Sequence, residues 1–193
     1  MNDTKCPVSN WAVYGLPESI KASKYPMSTD TYKCNSEVTE TVRKLFSCQP
    51  GTGHDQALTG IIVQFDLTFS NKAWVEAERY HFLDFVSSQS TMHRIAKFDI
   101  EEQCNEYVSG VVIEELERLR DVYNADPTAE NYLRLLYNIP SGFQLTARMT
   151  TNYRQLKTIY FQRRNHRLPE WRRFCEWIEE LPRFKELIID GVL

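Results

Sequence analysis

Long apolar runs are missing from this sequence: no stretch of 18 apolar residues occurs, which excludes a membrane-spanning helix. The opening MNDTKCPVSNW lacks the apolar centre of a secretory leader. Paired cysteines are missing too. Cys6, Cys34, Cys48, Cys104 and Cys175 are odd in number and widely spaced, without a Cys-x-x-Cys, so they read as reduced thiols of a cytoplasmic protein. The four histidines show no spacing that would hold zinc. No repeat, low-complexity tract or Pro/Gly/Ser-rich linker divides the chain, so residues 1–193 are expected to form a single domain with a sizeable core. A positive excess is absent as well: 23 Lys and Arg against 26 Asp and Glu leave a net charge of −3. Nucleic-acid binding over the whole surface is thereby excluded, and any basic site must be local.

One basic site is visible. MTTNYRQLKTIYFQRRNHRLPEWRR, residues 149–173, holds seven Lys or Arg and a single carboxylate, Glu170. Around it the hydrophobic pattern is regular. GIIVQFDLTF alternates, with Ile61, Val63, Phe65, Leu67 and Phe69 on one side of a half-buried strand. FQLTARMTT repeats this with Phe143, Leu145, Ala147 and Met149. A short helical pattern lies around Thr39–Phe46 within an otherwise loose region, 24–56. A long helix is expected at about 100–123, with Val108, Val112, Leu116, Leu119 and Val122 or Tyr123 as its stripe. DPTAENYLRLLYN reads as a helix capped by Thr128 or Asp126. The order helix, strand, three helices, strand, helix points to an α+β domain with an antiparallel sheet packed with long helices.

Two helical segments carry chemistry on an apolar face. In WVEAERYHFLDFV, 74–86, Trp74, Glu78, His81 and Phe85 share one side, with Tyr80 and Leu83 behind, so the helix is expected to be buried. Glu78 and His81 then meet at i, i+3, either as a structural pair or as two groups in a pocket. In the helix expected at 152–166, Leu156, Ile159, Tyr160 and Arg163 make one stripe flanked by Arg164 and His166. A guanidinium cannot shed its charge, so a buried Arg163 needs an internal acceptor, or an anion or carbonyl brought by a ligand.

The same residues resemble a known family, the flavin-dependent thymidylate synthases (ThyX). Asn152, Arg154, Leu156, Arg163 and Glu170-Trp171 are similar to that family's closing motif, and LRLLYNIPSGFQLT to the connection before it. Upstream and in order, IKASKYPM places Ser23 and GTGHDQAL places His54 at flavin-contacting positions. GIIVQFDLTF and the Trp-led segment after it resemble the strand and helix that precede the family signature. The likeness runs from about residue 15 to 178 in short pieces. At the signature the chain departs. Where the family has Arg-His-Arg, this sequence offers Arg79-Tyr80-His81, or His81-Phe82-Leu83 in the register that keeps His81 inward. Either way an arginine is lost. Ser90 best matches the serine of the nucleotide loop, Arg94 is displaced by about two positions, and Glu78 replaces a base-contacting Gln.

The resemblance implies a homotetramer that binds FAD and converts dUMP to dTMP with methylenetetrahydrofolate and NADPH, without an enzyme nucleophile. It assigns Arg163 to the uracil ring as the catalytic group, and Glu78, His81, Ser90 and Arg94 to the nucleotide. Ser23, His54, Asn152, Arg154 and His166 go to the flavin. The altered signature supports a second reading, a ThyX-like protein that binds nucleotide or flavin without methylating. A third has the basic C-terminal helix bind nucleic acid through phosphates; it lacks aromatic residues interleaved with basic ones on a strand.

Overall fold

A computed structural model of the protein describes residues 6–49 and 51–191. Met1–Lys5 of the expected leaderless N-terminus and Pro50 of the loose region lie outside the described residues. In chain order come β1 (Val8–Tyr14), α1 (Leu16–Ala22), α2 (Glu40–Ser47), β2 (Ile62–Ser70), α3 (Asn71–Ala77) and β3 (Asp84–Ser88). They are followed by α4 (Thr91–Arg94), α5 (Ile100–Gln103), α6 (Gly110–Ala125) and α7 (Ala129–Tyr137). The chain then forms β4 (Gln144–Asn152), α8 (Tyr153–Arg163), α9 (Pro169–Glu180) and a wide π-turn, Lys185–Ile189. The strands form one sheet in the order β1-β2-β4-β3. The fold is α+β with an antiparallel sheet, as expected. Among the described residues no helix is long and apolar enough to cross a membrane.

Two compact units emerge. One comprises residues up to Asp66, Tyr80–Asp84 and everything from Met149; the other comprises Leu67–Arg79 and Phe85–Arg148. The alternation read in GIIVQFDLTF holds throughout: Ile61, Val63, Phe65, Leu67 and Phe69 are all fully buried. Burying such a side chain stabilises by about 1.5–3 kcal/mol relative to leaving it in water.

In the first unit the core is aromatic. Phe65 of β2 meets Phe174 and Trp177 of α9, at centroid distances of 5.6 and 4.9 Å. Trp11 of β1 packs edge-on against the same Trp177. Helix α8 packs on α9, and α2 on the π-turn. Helix α2 starts where the Thr39 hydroxyl accepts a hydrogen bond from the Val42 amide, a side-chain N-cap. Gly15, at φ 74°, starts α1; a Cβ there would sit 2.5 Å from the Gly60 carbonyl oxygen, so this turn needs glycine.

The second unit closes around Ile95, Ile100, Leu116, Leu119, Leu135 and Phe143. Here two expectations are corrected. The helix expected at 100–123 is two helices, α5 and α6, because Cys104 bridges to Phe143 and Asn105 donates its backbone N–H to the Gly142 carbonyl. Only Leu116 and Leu119 of the expected stripe are buried, while Val112 and Val122 are exposed. The helix expected at 74–86 stops at Ala77, and β3 begins at Asp84. All five residues of β3 are exposed, Phe85 among them. The strands β1 and β3 were not expected at all. Thr128 caps α7, accepting from the Asn131 amide.

Candidate functional site

The transition from β4 into α8 builds the site. Asn152 ends the strand in an extended conformation, and its Oδ1 accepts the Gln155 N–H at 2.9 Å, which starts the helix. Asn152, Arg154, Gln155 and Thr158 thereby face a cavity of about 430 Å³, whose remaining walls are Gly51, Asp55, Gln56, Thr59 and Phe82. All of these residues belong to the first unit. The volume is within the usual range for a small-molecule pocket.

The electrostatics are asymmetric. Asp55 is buried between two cations: Oδ1 accepts from Arg154 Nε at 3.0 Å and Oδ2 from Lys157 Nζ at 2.9 Å. With two cations against one carboxylate, and the positive end of an 11-residue helix beside them, the cavity favours an anionic or acceptor-rich guest. Phe82 adds an exposed ring to the lining, suited to stacking on a flat ligand; its carbonyl accepts the Thr151 hydroxyl at 2.6 Å.

Of the residues named from the sequence, Asn152 and Arg154 share this cavity. His54 is exposed immediately before Asp55 in the chain. Ser23 ends α1 and donates its hydroxyl to the Ile20 carbonyl. Arg163 sits at the other end of α8, about 14 Å along the axis from Arg154. It is half-buried rather than splayed into solvent: Nε donates to Tyr80 Oη at 2.7 Å, and the guanidinium lies 5.0 Å from the Trp171 ring centre. Tyr80 in turn pairs with Gln162. His166 lies beyond the helix, where Nδ1 accepts the Leu168 N–H, and Arg164 spreads over Tyr160 and Phe161.

His81 does not point inward. The helix that would have turned it in has ended, and His81 is exposed. Glu78 is the exposed C-cap of α3, so the expected i, i+3 arrangement of the two does not form. In the second unit Ser90 occupies the N-cap position of α4 without making a side-chain cap bond, and Arg94 is exposed at the end of that helix. Among the described residues no group of three or more His, Cys, Asp or Glu could hold a metal ion.

Sequence reasoning missed Asp55, Lys157, Gln56 and Phe82. A signal existed for Lys157: Tyr153, Leu156, Lys157 and Tyr160 follow i, i+3, i+4, i+7, the same buried-cation argument that singled out Arg163, and Lys157 is 1% exposed. Asp55 follows a Gly-Thr-Gly turn, a position that carries no signal of burial by itself.

No family model matches the sequence, and no curated protein matches it. Among solved structures the chain is similar to thymidylate synthase X (ThyX) from Helicobacter pylori with FAD and dUMP, at 16% identity, a TM-score of 0.72, and coverage of 96% of this chain and 97% of that one. A second structure of the Helicobacter pylori enzyme complexed with FAD and dUMP agrees at 15% identity and TM-score 0.72, covering 96% of this chain and 98% of that one. Those values establish the architecture: the chain has a ThyX-like fold.

Proposed function

We propose that this protein is a flavin-dependent pyrimidine-nucleotide enzyme related to thymidylate synthase, a divergent member of the ThyX family, with FAD held at the start of α8. The observation that carries the reading is that Asn152 and Arg154, the two closing-motif residues assigned to the flavin, line one cavity at a helix N-terminus. That cavity fits part of such a cofactor by its chemistry: Arg154 and the helix end suit a phosphate or ring carbonyl, and the Phe82 ring suits a flat heterocycle. Bound FAD supplies the redox chemistry. The chain's own contribution is binding and field. Arg163, held by Tyr80 and Trp171, is the group that polarises a uracil carbonyl, a preorganised charge in a partly dry setting. Ser90 and Arg94 are assigned to the nucleotide phosphate, dUMP in the first instance, with methylenetetrahydrofolate and NADPH as co-substrates, in a cytoplasmic homotetramer.

A second reading is favoured by one observation. His81 and Glu78 are both exposed and the signature residues 79–83 lie in the turn between α3 and β3 rather than on a helix, so a nucleotide or flavin binder without methyl transfer is its natural rival. The experiment separates them. Purified protein, alone or with added FAD, is expected to be yellow and to bleach with dithionite; a colourless protein that ignores FAD overturns both readings. Tritium release from labelled dUMP with folate and NADPH marks the enzyme, and its absence from a flavin-loaded protein marks the binder.

A further inference from the structure

The charge cluster beside the cavity contains more order than a binding arginine requires. Lys157 and Asp55 are each 1% exposed. An ammonium group has three donors. Lys157 spends them on Asp55 Oδ2 and on the carbonyls of Phe46 and Cys48, at 2.9, 2.8 and 2.6 Å. It has nothing left for a ligand. Its effect is to tie the end of α2 and the 51–55 loop to α8, and to give a buried carboxylate a hydrogen-bonded partner.

Arg154 is arranged differently. Its Nε is fixed by Asp55 and its Nη1 donates to Gln56 Oε1 at 2.9 Å, while its side chain remains 34% exposed on the cavity wall. Nη2 has no partner among the described residues. A guanidinium only donates, so Gln56 must turn its carbonyl toward Arg154, which leaves the Gln56 amide nitrogen for the cavity. The open valences here are donors from both side chains. Torsions of a long arginine cost entropy to fix, and Asp55 fixes them before any ligand arrives.

We propose that Asp55 is a positioning residue: braced by Lys157, it holds Arg154 and, through it, Gln56 as a preset donor fork for a phosphate-type anion. For the identity of that anion the proposal rests on the flavin reading above, which makes it the phosphate of FAD; the preset geometry does not depend on that reading. Asp55→Asn keeps the shape but has one oxygen to offer two cations. Asp55→Asn/Lys157→Met removes both buried charges together and serves if the single variant does not fold.

Two measurements decide it. In nitrogen-15 correlated spectra of the free protein, the Arg154 Nε–H signal, identified by its loss in Arg154→Lys, is expected to exchange slowly in the native chain. In the folded Asp55 variant it is expected to merge with exchanging surface arginines; an unchanged, slowly exchanging signal overturns the proposal. In titrations, FAD is expected to bind at least tenfold more weakly to the Asp55 variant than to the native chain, with riboflavin, which has no phosphate, unaffected. Equal weakening of both ligands overturns the phosphate assignment. Failure of the native chain to bind FAD or riboflavin overturns the flavin reading instead, and the spectra still judge the positioning role.

Discussion

Lys157 shows how one side chain can contribute heavily to a fold while appearing ordinary in sequence. Its ammonium is buried against Asp55 and two carbonyls, so Lys157→Ala leaves a carboxylate without its dry partner. Breaking a buried pair on one side costs about 3–5 kcal/mol. Urea unfolding of Lys157→Ala is expected to show a loss of that order, and Asp55→Asn/Lys157→Met a smaller one. Two ionisable groups give stability opposite pH signatures. Hydrogen bonding from Arg43, with help from Arg183, holds the Glu186 carboxyl below its ordinary value. That contribution is complete above the unfolded value of about 4.5 and disappears as pH falls through the lowered one. Glu186→Gln is expected to flatten stability against pH below about pH 4.5. Burial pushes the Cys175 thiol up to about 12. Here the contribution is complete below the unfolded thiol value and is lost as pH rises through the raised one. Near neutral pH, iodoacetamide is therefore expected to label exposed Cys6 within minutes and leave Cys175 unmodified until the chain unfolds.

The elements explain where sequence periodicity succeeded and where it misled. Strand β2 was legible because alternation with five buried residues admits one register. Helix α2 was legible as a short helical pattern, and α7 through its cap Thr128; in both, a threonine hydroxyl accepts an N–H bond three residues on. Thr128→Ala is expected to cost about 1 kcal/mol in thermal or urea unfolding. The 74–86 segment misled because Trp74 and Phe85 do belong together, at 5.0 Å between ring centres. A helix would place residues eleven apart on the same side but about 16 Å from each other. The chain instead ends α3 and returns as β3, bringing the rings into contact by reversal. No local pattern distinguishes these solutions; pairing of β3 beside β4 does. The signature residues Glu78 and His81 fell on that ambiguous segment, whereas Asn152 and Arg154 fell on an unambiguous strand-to-helix junction. That difference is why, of the residues that line the cavity, Asn152 and Arg154 were the ones nameable from the sequence.

At the scale of the molecule, the two units differ in how much they bury. Helices α8 and α9 place five and six residues in the interior, among them Tyr153, Trp171 and Phe174. Helices α6 and α7 bury only Leu116, Leu119 and Leu135. Local opening follows buried apolar contact. Hydrogen exchange followed by mass spectrometry is expected to label α6 and α7 earlier than α8 and α9; simultaneous labelling would show one cooperative block. The overall class, an antiparallel sheet with helices, was readable because two long strands have unmistakable alternation. The outer strands were not. β1 is short and mostly exposed, and β3 has no buried face at all, so neither left a two-residue rhythm.

That last strand has a practical consequence. β3 ends the sheet and shows Phe85 and Val86 to water, with none of the lysines or prolines that usually keep such a margin from recruiting a stranger's backbone. Concentrated samples should therefore be prone to sticking along this ribbon, and a single lysine in place of Val86 should keep them clear in light scattering.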